Sequence, residues 1–213
     1  MNELLLLAAS GLAREVLSTD QGDYRIVGIL DDDALLRGEW IAGVEVLGGI
    51  DRAVDGDESL LVCVGAGRGR RKVVDRLASL GVRADRYAII VDSSVRVPES
   101  CVIGAGSILL SNVVLTADVV VGRHVVAMPH VTLTHDDVVG DFATLAAGVT
   151  LGGSVTVGAA SYLGMNASVR QRVTVGAGVT IGMGAVVLGD VPDGETWAGV
   201  PARRLAAPAG ASR

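Results

Sequence analysis

From Val95 to Asp190 the chain repeats itself every six residues. The stretch divides without a gap into sixteen hexapeptides, among them CVIGAG, VVVGRH, VTLTHD, VTLGGS and VTVGAG. The third place is Val, Ile or Leu in fifteen of them, with Ala127 the exception. The first place is Val, Ala, Ser or Cys in fifteen, with Asp137 the exception. Side chains alternate along a strand, so places one and three point the same way. Only small and aliphatic groups stand there, which predicts the interior of a narrow coil. Glycine takes the fourth place in eight repeats and is expected at the bends. Three six-residue faces predict an eighteen-residue coil, each turn stacked only on its neighbours.

Residues 1–91 have a different texture. Leu4–Ala8 predicts a buried strand, followed by the turn Ala9-Ser10-Gly11 and a helix over Leu12–Ser18. Tyr24–Leu30 predicts a second strand, ending in Asp31-Asp32-Asp33, and Leu60–Val64 a third, running into Gly65-Ala66-Gly67. Arg70–Leu80 has helical periodicity, with Val73, Val74, Leu77 and Leu80 on one face, and Ala88–Val91 is a last short strand. Strands alternating with helices predict a small parallel sheet covered by helices, a Rossmann-like α/β unit. The expected division is therefore 1–91 for the α/β domain, 92–205 for the coil and 206–213 for a flexible tail.

Composition narrows the function classes. Half of the 213 residues are hydrophobic yet only 3% are aromatic, so the core must be built from aliphatic layers. A net charge of -6 argues against a nucleic-acid surface, which needs clustered positive charge. No apolar run is long enough to predict a membrane span. Asn2-Glu3 gives the leucine run behind it no basic flank, so that run reads as a strand rather than a signal peptide. Cys63 and Cys101 sit in apolar contexts, which suits small core residues in a reducing compartment; the expected location is cytoplasmic.

The three histidines, His124, His130 and His135, lie close together in sequence. His124 and His130 hold sixth places, where a solvated corner residue is expected. His135 holds a fifth place, outside the coil, and is followed by Asp136 and Asp137. An imidazole beside a carboxylate can serve as a base near neutral pH, as acyl transfer requires. On spacing alone a solvated histidine remains the favoured reading. Asp137, at an inward place, is either a hydrogen-bonded corner or a second carboxylate acting on His135.

These motifs resemble a known family. The hexapeptide pattern is similar to the left-handed parallel β-helix of the hexapeptide-repeat acyltransferases. Thr134-His135-Asp136-Asp137-Val138-Val139-Gly140-Asp141-Phe142 resembles the His-Glu/Asp-x-x-Ile-Gly-Asp-Phe stretch of bacterial sugar O- and N-acetyltransferases. The resemblance implies a homotrimer with acetyl-CoA between neighbouring subunits and no metal. His135 would then be the general base and Asp136 its orienting carboxylate, in a direct attack on the thioester. Leu163-Gly164-Met165-Asn166 and Ile181-Gly182-Met183-Gly184-Ala185 resemble the segments lining pantetheine, implicating Met165 and Met183. Thr144 stands where some relatives carry a second histidine near the acetyl group, and Met128 where an amino-sugar enzyme holds its acceptor with Asn. The closing Gly199-Val200-Pro201-Ala202-Arg203-Arg204 is also similar; its arginines are either CoA-phosphate contacts or a solvated edge.

The amino-terminal part matches too. Ala8–Val16 resembles the Gly-Ala-Ser/Gly-Gly-His-Gly-Arg-Glu-Val start of the same sugar enzymes, with Leu12 in place of His. Val27–Asp32 and Val62–Arg71 resemble their next segments. By that match Ser10, Gly11, Leu12, Asp31, Asp32 and Gly65 contact a nucleotide-sugar. The loop lacks G-x-G-x-x-G spacing, so NAD binding is not expected. The implied reaction is acetyl transfer from acetyl-CoA to the amine of a nucleotide-linked amino sugar. Alternatives are O-acetylation of sialic acid or another sugar, and a non-enzymatic trimeric nucleotide-binding protein. A three-histidine zinc hydratase fits worse, because the spacing that suits His130 and His135 would put its third ligand at Ser94.

Overall fold

A computed structural model describes residues 1–206. Most of the tail expected to be flexible, 207–213, lies outside the described residues.

The amino-terminal sheet has five strands: β1 (Asn2–Leu7), β2 (Tyr24–Leu30), β3 (Trp40–Ile41), β4 (Val44–Gly48) and β5 (Ser59–Val62). Their order is β3-β4-β2-β1-β5, parallel except for the β3–β4 hairpin. Helix α1 (Gly11–Leu17) follows β1 and α2 (Gly67–Ser79) follows β5. Buried Leu4 and Leu6 face one side with Leu12 and Val16 of α1; Leu5 and Leu7 face the other with Leu77 of α2. Alternation along β1 thus feeds two cores. The hairpin had no clear sequence signal, and Trp40 is exposed.

The repeat forms a left-handed β-helix of three parallel sheets. Val102, Val120, Val138, Thr156 and Thr174 lie in register on the first face, eighteen residues apart. Ile108, Val126, Thr144, Tyr162 and Thr180 do so on the second. Val114, Thr132, Thr150, Ser168 and Val186 occupy the third. Places one and three fill the interior, as the pattern predicts: Val119, Val121, Val125, Val131 and Leu133 belong to one continuous buried cluster. The second face begins before residue 92, because Ile90–Val91 pairs with Ile108–Leu109.

The glycines serve a different purpose from the one expected. The left-handed backbone at each bend falls at the sixth place, where non-glycine residues dominate, including Asn112, Asp118, His124, His130 and Asp136. Asn and Asp tolerate that region better than most side chains. The fourth-place glycines answer a lack of room instead. A Cβ on Gly104 would stand 2.5 Å from the carbonyl carbon of Gly122, and one on Gly158 2.4 Å from the amide of Ala177.

The second face is where the two parts of the chain meet. Outward-pointing Val102, Val120 and Val138 on the first face are 58, 42 and 40% exposed, whereas Ile108, Val126 and Thr144 on the second are 0, 1 and 5% exposed. Ile108 and Val126 pack with Leu4, Leu6, Leu12 and Val16. Covering an aliphatic side chain of this size contributes about 1.5–3 kcal/mol.

At this seam Arg70 is fully buried with no carboxylate beside it. Its Nε donates to the carbonyl of His124 at 2.9 Å. One terminal nitrogen donates to the carbonyls of Val64 and Gly65 at 2.9 and 2.8 Å. The other donates to the carbonyls of Phe142 and Ala143 at 3.0 and 2.9 Å, and to Thr144 Oγ1 at 3.0 Å. Burial lowers its pKa to about 10, so it remains a cation at neutral pH.

His124 corrects an expectation. It is 4% exposed rather than solvated, stacked on Phe142 at 5.0 Å and met edge-on by Tyr87 at 4.7 Å. The α/β part covers this one corner; the corner bearing His130 stays open. Burial pushes the His124 pKa down to about 4, and the nearby Arg70 cation acts in the same direction. Between the ordinary histidine value and about 4, the unfolded chain therefore binds a proton that the native state does not. Native stability attributable to this site falls as pH drops through that window. His124→Asn keeps a residue suited to the left-handed bend and removes the titration. Relative to this variant, wild type is expected to lose on the order of 2–3 kcal/mol between pH 7 and pH 4, measured by denaturant unfolding.

Candidate active site

His135 stands at the corner between the third-face strand Thr132–Leu133 and the first-face strand Val138–Val139. The corner is held from inside. Asp137 is completely buried and accepts from the amides of Thr134 at 2.7 Å and Val155, in the next coil, at 2.8 Å. Thr134 Oγ1 donates to the carbonyl of Leu151 at 3.0 Å. Burial raises the Asp137 carboxyl to about 6, against the pull of the two amides and the imidazole. Asp137 is thus a hydrogen-bonded corner.

His135 Nδ1 lies 2.7 Å from Asp136 Oδ2. With the Nδ1 proton donated to that carboxylate, Nε2 carries the free lone pair. The ring projects along the helix axis over the next coil, and a Cβ on Gly153 would come within 2.3 Å of Nε2. Gly153 lies one coil length beyond His135, so the repeat itself carried the signal, though the sequence reading passed over it. The His135 side chain is 65% exposed in the isolated chain.

A cavity of about 510 Å³ opens at a different corner, between the second and third faces and beneath α1. It brings together Gly11, Leu12 and Gly65, expected to contact the nucleotide-sugar, with Thr144 and Met165, expected on the cofactor side. Met128 also lines it, as do Glu15 and Tyr162, which the sequence reading did not single out. Met183 lies one coil beyond Met165 at the same corner and is largely exposed. Thr144 is not free to meet an acetyl group: its hydroxyl donates to the carbonyl of Gly65 at 3.0 Å and accepts from Arg70.

The remaining expected contacts have partners within the chain. Ser10 caps α1 by accepting from the amide of Ala13 at 3.2 Å, and donates to the carbonyl of Cys63 at 2.5 Å. Asp31 accepts from the amides of Ala9 at 2.7 Å and Asp33 at 2.8 Å, closing the loop after β1 against the end of β2. Asp32 turns toward α2, where the Arg76 guanidinium at 2.6 Å holds its carboxyl below the usual range. Arg204 pairs with Glu195 at 3.1 Å, at the antiparallel edge that closes the second face. Among the described residues, no group of three His, Cys, Asp or Glu is gathered as a metal site. None of their helices is long and apolar enough to cross a membrane.

No protein-family model and no curated protein sequence matches the chain. Solved structures do. The acetyltransferase domain of PglB from Neisseria gonorrhoeae FA1090 is 31% identical, with 96% of this chain and 100% of that one covered and a TM-score of 0.84. The same domain has been solved with acetyl coenzyme A, matching at 32% identity. PerB from Caulobacter crescentus, in complex with CoA and GDP-perosamine, is 26% identical over 97% of this chain and 98% of that one, with a TM-score of 0.87. A histidine-to-alanine variant of the Caulobacter GDP-perosamine N-acetyl transferase, with CoA and GDP-perosamine bound, matches at 25% identity and a TM-score of 0.88. Likeness at this level runs through both the α/β sheet and the coil, and the chain belongs to the hexapeptide-repeat sugar acetyltransferases.

Proposed function

We propose that this protein transfers the acetyl group of acetyl-CoA to the amine of a nucleotide-linked amino sugar, with His135 as general base. The observation that carries this reading is the His135–Asp136 pair on an outer corner, with Nδ1 held by the carboxylate. The relatives seen with acetyl coenzyme A and with GDP-perosamine support the two substrates. Free Cys63 and Cys101 suit the reducing cytoplasm, where we place the reaction.

In the proposed mechanism the cavity beneath α1 receives the sugar, and Gly11, Leu12 and Gly65 form its wall toward the nucleotide. Ser10, Asp31 and Asp32 shape the loops that bear it. Met165 and Met183, stacked on consecutive coils, offer an apolar strip to the thin pantetheine arm. The thioester supplies the acetyl group, its C–S bond breaking as the C–N bond forms. His135 Nε2 takes the proton released from the attacking nitrogen, and Asp136 stabilises the resulting imidazolium through Nδ1. A positioned base of this kind contributes about 10²–10⁴ in rate.

The cavity and His135 occupy different corners of one prism, separated by the third face, so a single chain does not unite them. A closed three-fold assembly brings one chain's His135 corner against its neighbour's cavity corner. We therefore take the working unit as a homotrimer with three composite sites.

His135→Ala is expected to leave the melting temperature unchanged and lower kcat by at least about a hundredfold, measured by thiol release from acetyl-CoA. Gly65→Trp fills the cavity from a position whose Cβ meets nothing within 4 Å, and its homotrimer is expected to be inactive as well. Co-refolded mixtures of the two variants regain activity if each site draws on two chains; a site contained in one chain leaves them dead. Gly153→Ala displaces only the end of an exposed side chain, so it is expected to lower kcat about tenfold or more with a melting temperature within about 1 °C of wild type.

A further inference from the structure

The cavity beneath α1 is lined almost wholly by apolar groups, and Glu15 is its one charged side chain. Glu15 lies four residues after Gly11 on the same helix, so both stand on the face turned to the cavity. The carbonyl of Glu15 accepts from Ser18 and Thr19 hydroxyls, but its carboxylate has no partner among the described residues. Of the other polar groups in the lining, the Tyr162 phenol is uncharged and two more are less available. The Thr144 proton is committed to Gly65, and Met128 presents a thioether with no proton to donate. Partial burial raises the Glu15 carboxyl above its ordinary value, as expected of an anion beside an apolar wall.

We propose that Glu15 receives the acceptor's amine and is the residue that selects an amino sugar over its hydroxyl counterpart. The inference rests on the acetyltransferase reading above and deepens it. An amine in its ammonium form is complementary to a carboxylate in a cavity whose lining has no other charged side chain. The neutral amine that attacks, its third proton having passed to solvent water, has two N–H groups. Glu15 accepts one and His135 takes the other proton after attack, leaving the lone pair free to meet the thioester. A hydroxyl has a single proton. If that proton goes to the base, the acceptor oxygen faces the Glu15 carboxylate with lone pairs only, which is repulsive. The chain thus achieves with a carboxylate on α1 what Met128 in the coil cannot do.

The test compares wild type with Glu15→Gln and Glu15→Asp, using GDP-perosamine, UDP-linked amino sugars and the matching nucleotide sugars with a hydroxyl in place of the amine. The glutamine variant is expected to raise KM for the amino sugar by about tenfold or more. Its KM for acetyl-CoA and its melting temperature should stay at wild-type values. Its preference for amine over hydroxyl should fall by a similar factor, and the aspartate variant should recover part of it. Calorimetric binding of the nucleotide diphosphate alone is expected to be equal in all three proteins. An unchanged amino-sugar KM in Glu15→Gln overturns the role of Glu15 alone. A loss shared equally by the bare nucleotide also overturns it, since the contact would then not involve the amine. If wild type acetylates none of the amino sugars, the parent reading fails and this inference falls with it.

Discussion

Arg70 is the point on which the two halves of the molecule are hung. Its guanidinium is buried among carbonyls from the loop after β5 and from two successive coils, with no counter-ion. Every one of its five N–H groups finds an oxygen, which is the condition for keeping such a group away from water. Two of the oxygens it gathers, the Gly65 carbonyl and the Thr144 hydroxyl, belong to residues that line the cavity beneath α1. Removing the cation would take away the donor these acceptors share, leaving Gly65 only the Thr144 hydroxyl and Ala143 only the amide of Val126. Cavity and seam are therefore one construction: contacts that dock the sheet on the coil run through the cavity wall.

The coil contributes rigidity of another kind. The strands between Val102 and Val187 are each two residues long, and they pair with equivalent strands eighteen residues away. A side chain at a corner is thus positioned by the coils above and below it. At the His135 corner, the amide of Val155 binds Asp137, the carbonyl of Leu151 binds Thr134, and Gly153 clears space for the ring. This scaffold holds the imidazole at a set height without burying it. Leaving it exposed in one chain while the cavity opens at another corner makes sense if the reactive geometry is created by assembly.

The repeat dictated much of this because its period has a single structural solution. Small aliphatic residues at places one and three leave no alternative to a narrow parallel coil, and the His135 motif could be numbered onto a corner directly. The α/β strands were legible from apolar runs and turn residues, apart from the β3–β4 hairpin, whose Trp40 faces solvent and leaves no pattern. The glycines were read for conformational freedom, yet the fourth-place ones answer the close approach of the next coil, a distance that no single repeat records.

Sequence by itself determined the coil, its eighteen-residue register, the alternating sheet before it and the chemical character of the His135–Asp136 pair. These follow from local periodicity and from neighbours along the chain. Only the tertiary structure decided which face of the prism the sheet covers, because all three faces carry similar outward residues. That choice buried His124 and left His130 free, tied Thr144 to Arg70, turned Asp32 to Arg76, and brought Glu15 over a cavity shared with Met128 and Met165. Each depends on residues dozens of positions apart meeting across a seam, where packing and unpaired hydrogen bonds, rather than the repeat, set the outcome.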